Sequence, residues 1–493
     1  MERTETFRRN PDRFDWRGFG RVAALAFVVA ASFQGSRGLY ESTEGRYAEC
    51  ARETLASGDW DDPILNGRPH WTKPPLTYMA IMAGTRVLGN NPWGVRAYLV
   101  VAMVLAATGT WWAGRVIWGP GAGRWAGVVF ATSPVMAGAA HVASADMLTV
   151  QWVALATAAF WHGAVRRSTW AWLATWVFLG LALLTKGPPA LLVPMVSMPV
   201  AWGVMRRDGA GKIDRWVAWA GLALFLLVGV AWFACEAWLT PGLLSYWIGD
   251  ELIGRNILDK FDRDRGFAFV LTDYLPTMLL GAGPWLPLIL WRGRPVREVW
   301  RPDPRAPLSA RAARASLAAG VAIPFAVFAL SKSKMPLYVA PLFVPLCLGL
   351  GRAIDVLVEQ GRLRRHTAGI WVGGLLALIV AVKGGLAHVD RPKDMTRLAA
   401  VLEPALARDG TPELYTVSRM PRNGLEFHLN RLIENVPAQS FPAHVAGRVA
   451  AGRSAAYLVG KADWARLATN VPVPVRPEEL GRHWLLIRVP ADP

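Results

Sequence analysis

The sequence predicts an all-α polytopic membrane protein of about 11–13 transmembrane helices, ending in a small α/β domain outside the membrane. Three observations carry this. Hydrophobic residues make up 53% of the chain, and the mean hydropathy is +0.26. Apolar stretches of spanning length recur from residue 19 to residue 388 and do not alternate with polar residues. The bilayer core offers no water to backbone polar groups, so only helices or closed barrels cross it, and long unalternating runs are helices. After Asp390 the composition becomes that of an ordinary soluble domain.

Residues 1–18 form a basic leader with five arginines. The stretch from about Phe19 to Ser36 lacks a small-residue cleavage site after a short apolar core, so it reads as a retained signal anchor. Basic connectors then follow at Arg115 to Arg124, Arg166-Arg167, Arg206 to Arg215, Arg292 to Arg314 and Arg352 to Arg365. Short loops rich in Lys and Arg stay cytoplasmic. With all of these and the leader inside, spans fall near 19–36, 93–114, 125–142, 147–165, 169–185, 188–205, 216–238, 271–291, 316–331, 336–351 and 368–388, which is eleven crossings within a membrane domain of residues 19–389. The segment 37–91, Asp146, Lys186, the stretch 239–270, Lys332 to Lys334 and everything after His388 are then expected outside. The net charge of +18 is the positive-inside signature together with attraction to membrane lipids, and no nucleic acid is implied.

The segment 37–91 is long and mixed in charge for a connector, with seven acidic and six basic residues. From Glu44 to Ser57, Tyr47, Cys50, Ala51, Thr54 and Leu55 share one stripe and Gly58 stops the run, which predicts a short amphipathic helix on the membrane surface. Glu41 and Glu49 read as its solvated faces. Asp59-Trp60-Asp61-Asp62-Pro63 and Asn66-Gly67-Arg68-Pro69 are turns. Lys73-Pro74-Pro75 opens a second helix, Leu76 to Leu88, because proline is tolerated in a first turn. Lys73 thereby stands at a helix N-terminus, where an anion such as phosphate is favoured.

The tail, residues 390–493, has apolar residues at helical spacing from Lys393 to Asp409, stopped by Gly410, and strand-like runs at Leu414 to Val417, Ala455 to Val459 and Trp484 to Val489. Cys50, Cys235 and Cys347 are too few and scattered for a disulfide framework. The eight histidines offer no metal-binding pair on one helical face, so no metal site is assigned; a divalent cation on outer carboxylates is compatible with the sequence but not required.

Four segments carry a resemblance. Thr43-Glu44-Gly45-Arg46-Tyr47-Ala48-Glu49, with Leu55-Ala56-Ser57-Gly58-Asp59-Trp60, Asn66-Gly67-Arg68-Pro69 and Thr72-Lys73-Pro74-Pro75-Leu76, resembles the first outer loop of bacterial lipid-carrier glycosyltransferases of the GT-C type, related to aminoarabinose transferase and protein O-mannosyltransferases. Ser144-Ala145-Asp146-Met147-Leu148 is similar to the family's acidic residue at the start of its fourth span. Thr185-Lys186-Gly187-Pro188 resembles its Lys-Gly-Pro turn, and Ser331 to Pro341 its Lys-x-Lys-x-Pro-x-Tyr-x-x-Pro segment. Two positions depart: Thr43 stands where the family commonly has Asp, and Thr72 where the aminoarabinose branch often has Glu, which argues against that branch's metal site.

The resemblance implies a polyprenyl-phosphate sugar donor, a lipid, glycan or protein acceptor, and inverting transfer on the periplasmic face of the bacterial inner membrane. Such chemistry needs a carboxylate to take or orient the acceptor proton and cations to hold the leaving phosphate. Glu44 and Asp146 are the candidate catalytic carboxylates. Lys73, Arg46, Arg255, Lys332 and Lys334 are the candidate phosphate partners, and Tyr47, Glu251 and Lys186 are further site candidates, although Lys186 at a helix-to-helix turn also reads as structural. The competing class is a transporter or flippase of a lipid-linked or amphiphilic solute, whose mark would be internal repeats with midplane charges. The charged candidates lie at the outer edge instead.

Overall fold

In the computed structural model, the described residues are 14–41, 43–207, 213–258, 260, 265–291, 308–407, 413–418, 420–471, 473, 475 and 477–490. Most of the leader, the inner parts of the connectors near 208–212 and 292–307, and the expected stop at Gly410 lie outside them. Eight helices among the described residues are long and apolar enough to cross a membrane: Pro92–Trp118, Ala145–Arg166, Thr169–Lys186, Pro188–Arg207, Arg215–Leu239, Ser309–Leu330, Pro336–Glu359 and Arg365–Ala387. Each coincides with an expected span, and the protein is an α-helical multi-pass membrane protein.

The other three expected spans are shorter or broken helices. Helix α1 (Trp16–Ala31) has 16 residues. The span near 125–142 divides at Ser133-Pro134, and that near 271–291 divides at Gly283-Pro284 into Leu275–Ala282 and Leu286–Trp291. Proline has no N–H and clashes with the preceding turn, which breaks both spans. At the second break the Pro284 carbonyl accepts from the Trp371 indole N–H at 2.9 Å.

The chain forms two compact units: Met1–Ala30, Val100–Ala140 and Asp146–Ile379 make one, and Ala31–Leu99, His141–Ala145 and Val380–Pro493 the other. In the first, helices approach through small residues, as membrane helices do when no hydrophobic effect drives them together. A Cβ on Gly229 would lie 2.7 Å from the Gly180 Cα, and the Ser316 hydroxyl donates to the Ser197 carbonyl at 2.8 Å.

The second unit holds the 37–91 segment together with the tail, so the compact division does not fall at residues 389 and 390. Helix α2 (Glu44–Ser57) ends at left-handed Gly58, φ 79°, and α3 (Leu76–Leu88) begins after Pro75. Between them, strands β1 (Ile64–Leu65) and β2 (Arg68–Pro69) pair antiparallel. Asn66 and Gly67 both take positive φ, 58° and 67°, as a two-residue hairpin turn requires.

The surface-helix expectation for α2 is corrected. Tyr47, Cys50, Ala51 and Thr54 are buried as the stripe predicts, but against protein: the Tyr47 ring lies 5.5 Å from that of Tyr78 in α3. Glu41 and Glu49 are also buried, not solvated. The Glu49 carboxylate takes both forks of Arg52, at 2.6 and 2.7 Å, because the tail helix Arg422–Leu429 covers that side.

In the tail, β3 (Leu414–Thr416), β4 (Glu434–Asn435), β5 (Ala455–Gly460), β6 (Pro477–Leu480) and β7 (Trp484–Val489) form a five-stranded sheet in the order β4-β3-β5-β7-β6. The first three are parallel, and β7 and β6 continue antiparallel. Side chains alternate across the sheet with period two. Leu414, Ala456, Leu458 and Leu486 join one core with Leu398 and Leu402; Tyr415, Tyr457, Val459 and Ile487 join a second with Phe441 and Val445.

Candidate active site

Glu44 opens α2 and is 1% exposed. Its Oε1 accepts from Arg96 Nε at 2.7 Å, Arg37 Nη2 at 3.1 Å and the Ala143 backbone N–H at 2.9 Å. Its Oε2 accepts from Arg37 Nη1 at 2.7 Å, Arg96 Nη2 at 2.9 Å and the Tyr40 N–H at 2.9 Å. Burial alone would raise its pKa, but the Arg96 and Arg37 guanidiniums overcome that and hold it at about 2. Arg96 also donates to the Gln34, Arg37 and Gly38 carbonyls, and Arg37 Nη2 to the His141 carbonyl at 2.5 Å. The His141 ring meets Gln34 Oε1. Six donors on one carboxylate thus tie together the start of the segment, α4 (Pro92–Trp118) and residues 141–143.

A second cluster joins the other face of α2 to the start of α3. The Arg46 guanidinium lies 6.0 Å from the Tyr47 ring, and Tyr47 leans on Tyr78, which the His70 ring meets edge-on at 6.4 Å. The Thr72 hydroxyl and His70 Nε2 are 2.6 Å apart. Desolvation first, then the charges of Arg46 and Lys73, lower the His70 pKa to about 4. Two cations therefore flank a neutral imidazole, a hydroxyl and two phenol rings. Such a set can bind an anion without a metal. Among the described residues no group of three or more His, Cys, Asp or Glu is arranged to hold one.

In the other compact unit, Asp146, in the first turn of Ala145–Arg166, is ion-paired with Lys186. The Lys186 ammonium lies 4.7 Å from the centre of the Tyr338 ring. The side chains of Asp146 and Lys186 are 14% and 11% exposed, which leaves them reachable. Arg255 donates to Glu251 at 2.7 Å, as Tyr246 does at 3.2 Å. Asn256 next to it accepts the Lys332 backbone N–H at 2.9 Å and the Ser331 hydroxyl at 3.0 Å. Lys332 is exposed and Lys334 buried. The structure thus brings Asp146 together with Lys186, Glu251 with Arg255, and Arg46 with Tyr47, with Arg46 and Lys73 both acting on His70.

Residues 72–234 match the family model of dolichyl-phosphate-mannose-protein mannosyltransferases. The chain is 30% identical over 365 residues to the undecaprenyl phosphate-alpha-4-amino-4-deoxy-L-arabinose arabinosyl transferase of Edwardsiella ictaluri, covering 71% of this chain and 61% of that one. The chain is thus similar to membrane glycosyltransferases of the GT-C type. It spans about three fifths of the length of the curated relatives it matches. The GT-C fold is also evident in three dimensions: ArnT from Cupriavidus metallidurans, solved with undecaprenyl phosphate, superposes with a TM-score of 0.72 at 20% identity, covering 95% of this chain and 97% of that one. The oligosaccharyltransferase of Archaeoglobus fulgidus does so at 0.56 and 12% identity, over 94% and 70%.

Within this GT-C chain, sequence reasoning missed Arg37, Arg96, His70, Thr72, His141 and Tyr338. Arg96 carried a signal, since an arginine inside a predicted span demands a partner. Tyr338 stood inside a motif already singled out. The partners Gln34 and His141 carried none, because 107 residues separate them.

Proposed function

We propose that the protein is a glycosyltransferase that moves a sugar from a polyprenyl-phosphate carrier to an envelope acceptor, lipid A or lipopolysaccharide core, another glycan or a protein, on the periplasmic face of the inner membrane. The observation that carries this is the Arg46, Lys73, His70, Thr72 and Tyr47 cluster, a cationic and hydroxylic set suited to a phosphate monoester anion. The arabinosyl transferase relatives and the family model support a lipid-phosphate donor.

In this reading the acceptor oxygen attacks the anomeric carbon from the face opposite the phosphate, and the carbon–oxygen bond to phosphate breaks, so configuration inverts. Arg46 and Lys73 compensate the charge that grows on the departing phosphate. Asp146 takes or orients the acceptor proton, with Lys186 and Tyr338 fixing its position. Glu44 organises rather than reacts, because every lone-pair direction of its carboxylate already meets a donor. Arg255, held by Glu251, and Lys332 and Lys334 are further donor contacts.

The test is mass spectrometry of envelope glycolipids and of the polyprenyl-phosphate sugar pool in a deletion strain beside one expressing Asp146→Asn. Loss of one sugar from a glycan with its lipid-linked donor accumulating in both strains is expected, and names donor and acceptor together. Unchanged glycans with the donor trapped on the inner leaflet would replace this reading with a transporter.

A further inference from the structure

Helix α2 carries Arg46 and Tyr47 on one face and docks on the tail with the other. The docking has an unusual joint. The Glu41 carboxyl is wedged between Gly45 of α2 and Gly424 of the tail helix Arg422–Leu429, accepting the Gly424 N–H at 2.7 Å. A Cβ on Gly45 would lie 1.9 Å from Glu41 Oε2 and 2.7 Å from the Gly424 Cα. One on Gly424 would lie 2.4 Å from the Met395 Cγ and 2.8 Å from Glu41 Oε2. Real side chains do not approach so closely, so both glycines are needed to admit the carboxyl.

Further bonds extend the joint on either side. The Leu39 N–H donates to the Thr396 hydroxyl at 3.0 Å, the Met395 N–H to the Leu39 carbonyl at 2.9 Å, and the Glu41 N–H to the Lys393 carbonyl at 3.0 Å. Thr396 is bonded in turn to His428 of the tail helix at 2.9 Å. Farther along α2, Arg52 Nη1 donates to Asn430 Oδ1 at 2.6 Å. The tail thus holds the chain just before α2, the first turn of α2, one residue from Arg46, and α2 again at Arg52.

We infer that the tail is a positioning part of the donor-phosphate site: through Glu41, Gly45 and Gly424 it fixes the rotation and height of α2 and so the placement of Arg46. The inference rests on the proposed lipid-phosphate donor. A cation displaced by about 1 Å loses much of its hold on an anion, as in other preorganised sites. Burial raises the Glu41 pKa to about 8, against the Gly424 N–H and Arg46, so a neutral isostere keeps the joint.

The experiment is the affinity of the full-length protein in detergent for undecaprenyl phosphate, with thermal unfolding as a control. Glu41→Gln, which still accepts the Gly424 N–H, is expected to bind like the unaltered protein. Glu41→Ala and Gly424→Ala are expected to bind about 10-fold more weakly, a loss of about 1.4 kcal/mol, and to add nothing to Arg46→Ala when combined with it, since both act through one guanidinium. Wild-type affinity in folded Gly424→Ala and Glu41→Ala, or full additivity with Arg46→Ala, would overturn the positioning role. Should those two not fold, the milder Asn430→Ala is expected to weaken binding about 3-fold, and unchanged affinity there overturns the role as well. Absence of binding by the unaltered protein would instead remove the donor reading, and this inference with it.

Discussion

Glu44 and Asp146 are both carboxylates beside cations, yet their surroundings differ. Glu44 is sealed at 1% exposure with six donors aimed at it. Asp146 shares one lysine's ammonium, and its side chain is 14% exposed. A carboxylate saturated by forked guanidiniums is a structural clasp, since moving a proton onto it would cost the bonds that hold its neighbours. One at a helix start with open surface can exchange a lysine contact for a substrate hydroxyl. Charge alone does not mark a catalytic group; burial and the number of donors around it separate these two carboxylates.

The sharpest way to break that contrast is Glu44→Ala. It strands two buried guanidiniums and is expected to cost about 3–5 kcal/mol of stability, seen as loss of folded protein in detergent extracts. A variant that folds normally but loses turnover would return Glu44 to catalysis. Asp146→Asn is expected to do the reverse, leaving the unfolding temperature nearly unchanged while turnover falls about 10²–10⁴-fold, the usual span for removing a general base. Lys73→Ala comes next, with undecaprenyl phosphate bound about 10- to 100-fold more weakly, the equivalent of one charge-assisted bond.

The smallest effect is in pH. The Glu44 carboxyl is held at about 2 against an ordinary 4.5, so its contribution is complete above 4.5 and disappears as pH falls toward 2. The His70 imidazole is lowered from 6.5 to about 4, so the unfolded chain takes up that proton first and stability declines between those values. These two groups are therefore expected to lower the unfolding temperature in two overlapping stages as pH falls below 6.5, whereas Glu41 and Glu49, raised to about 8, act the other way and weaken the fold as pH rises from 4.5 to 8. His70→Asn should remove the upper stage alone. A profile unchanged by that substitution would show that His70 does not titrate in this way.

Much of this was legible in the chain. The bounds of α2 and α3 follow from an apolar stripe stopped by Gly58 and from Lys73-Pro74-Pro75, because local capping and proline geometry act within a few residues. Eight spans follow from hydropathy, since the bilayer imposes helix on any apolar run of sufficient length. Three of the tail strands follow from short apolar runs, whereas β4 and β6, of two and four residues, are edge strands with little pattern to read.

The sequence by itself thus determined which segments are helical, where the apolar spans fall and which short motifs carry charge, because those depend on neighbours within one or two turns. Only the tertiary structure decided what each charge does. Arg37 and Arg96 converge on Glu44 from positions 59 residues apart. Gly424 meets Glu41 across 383 residues. These pairings depend on desolvation and hydrogen-bond geometry after packing, and neither has a period that a sequence displays.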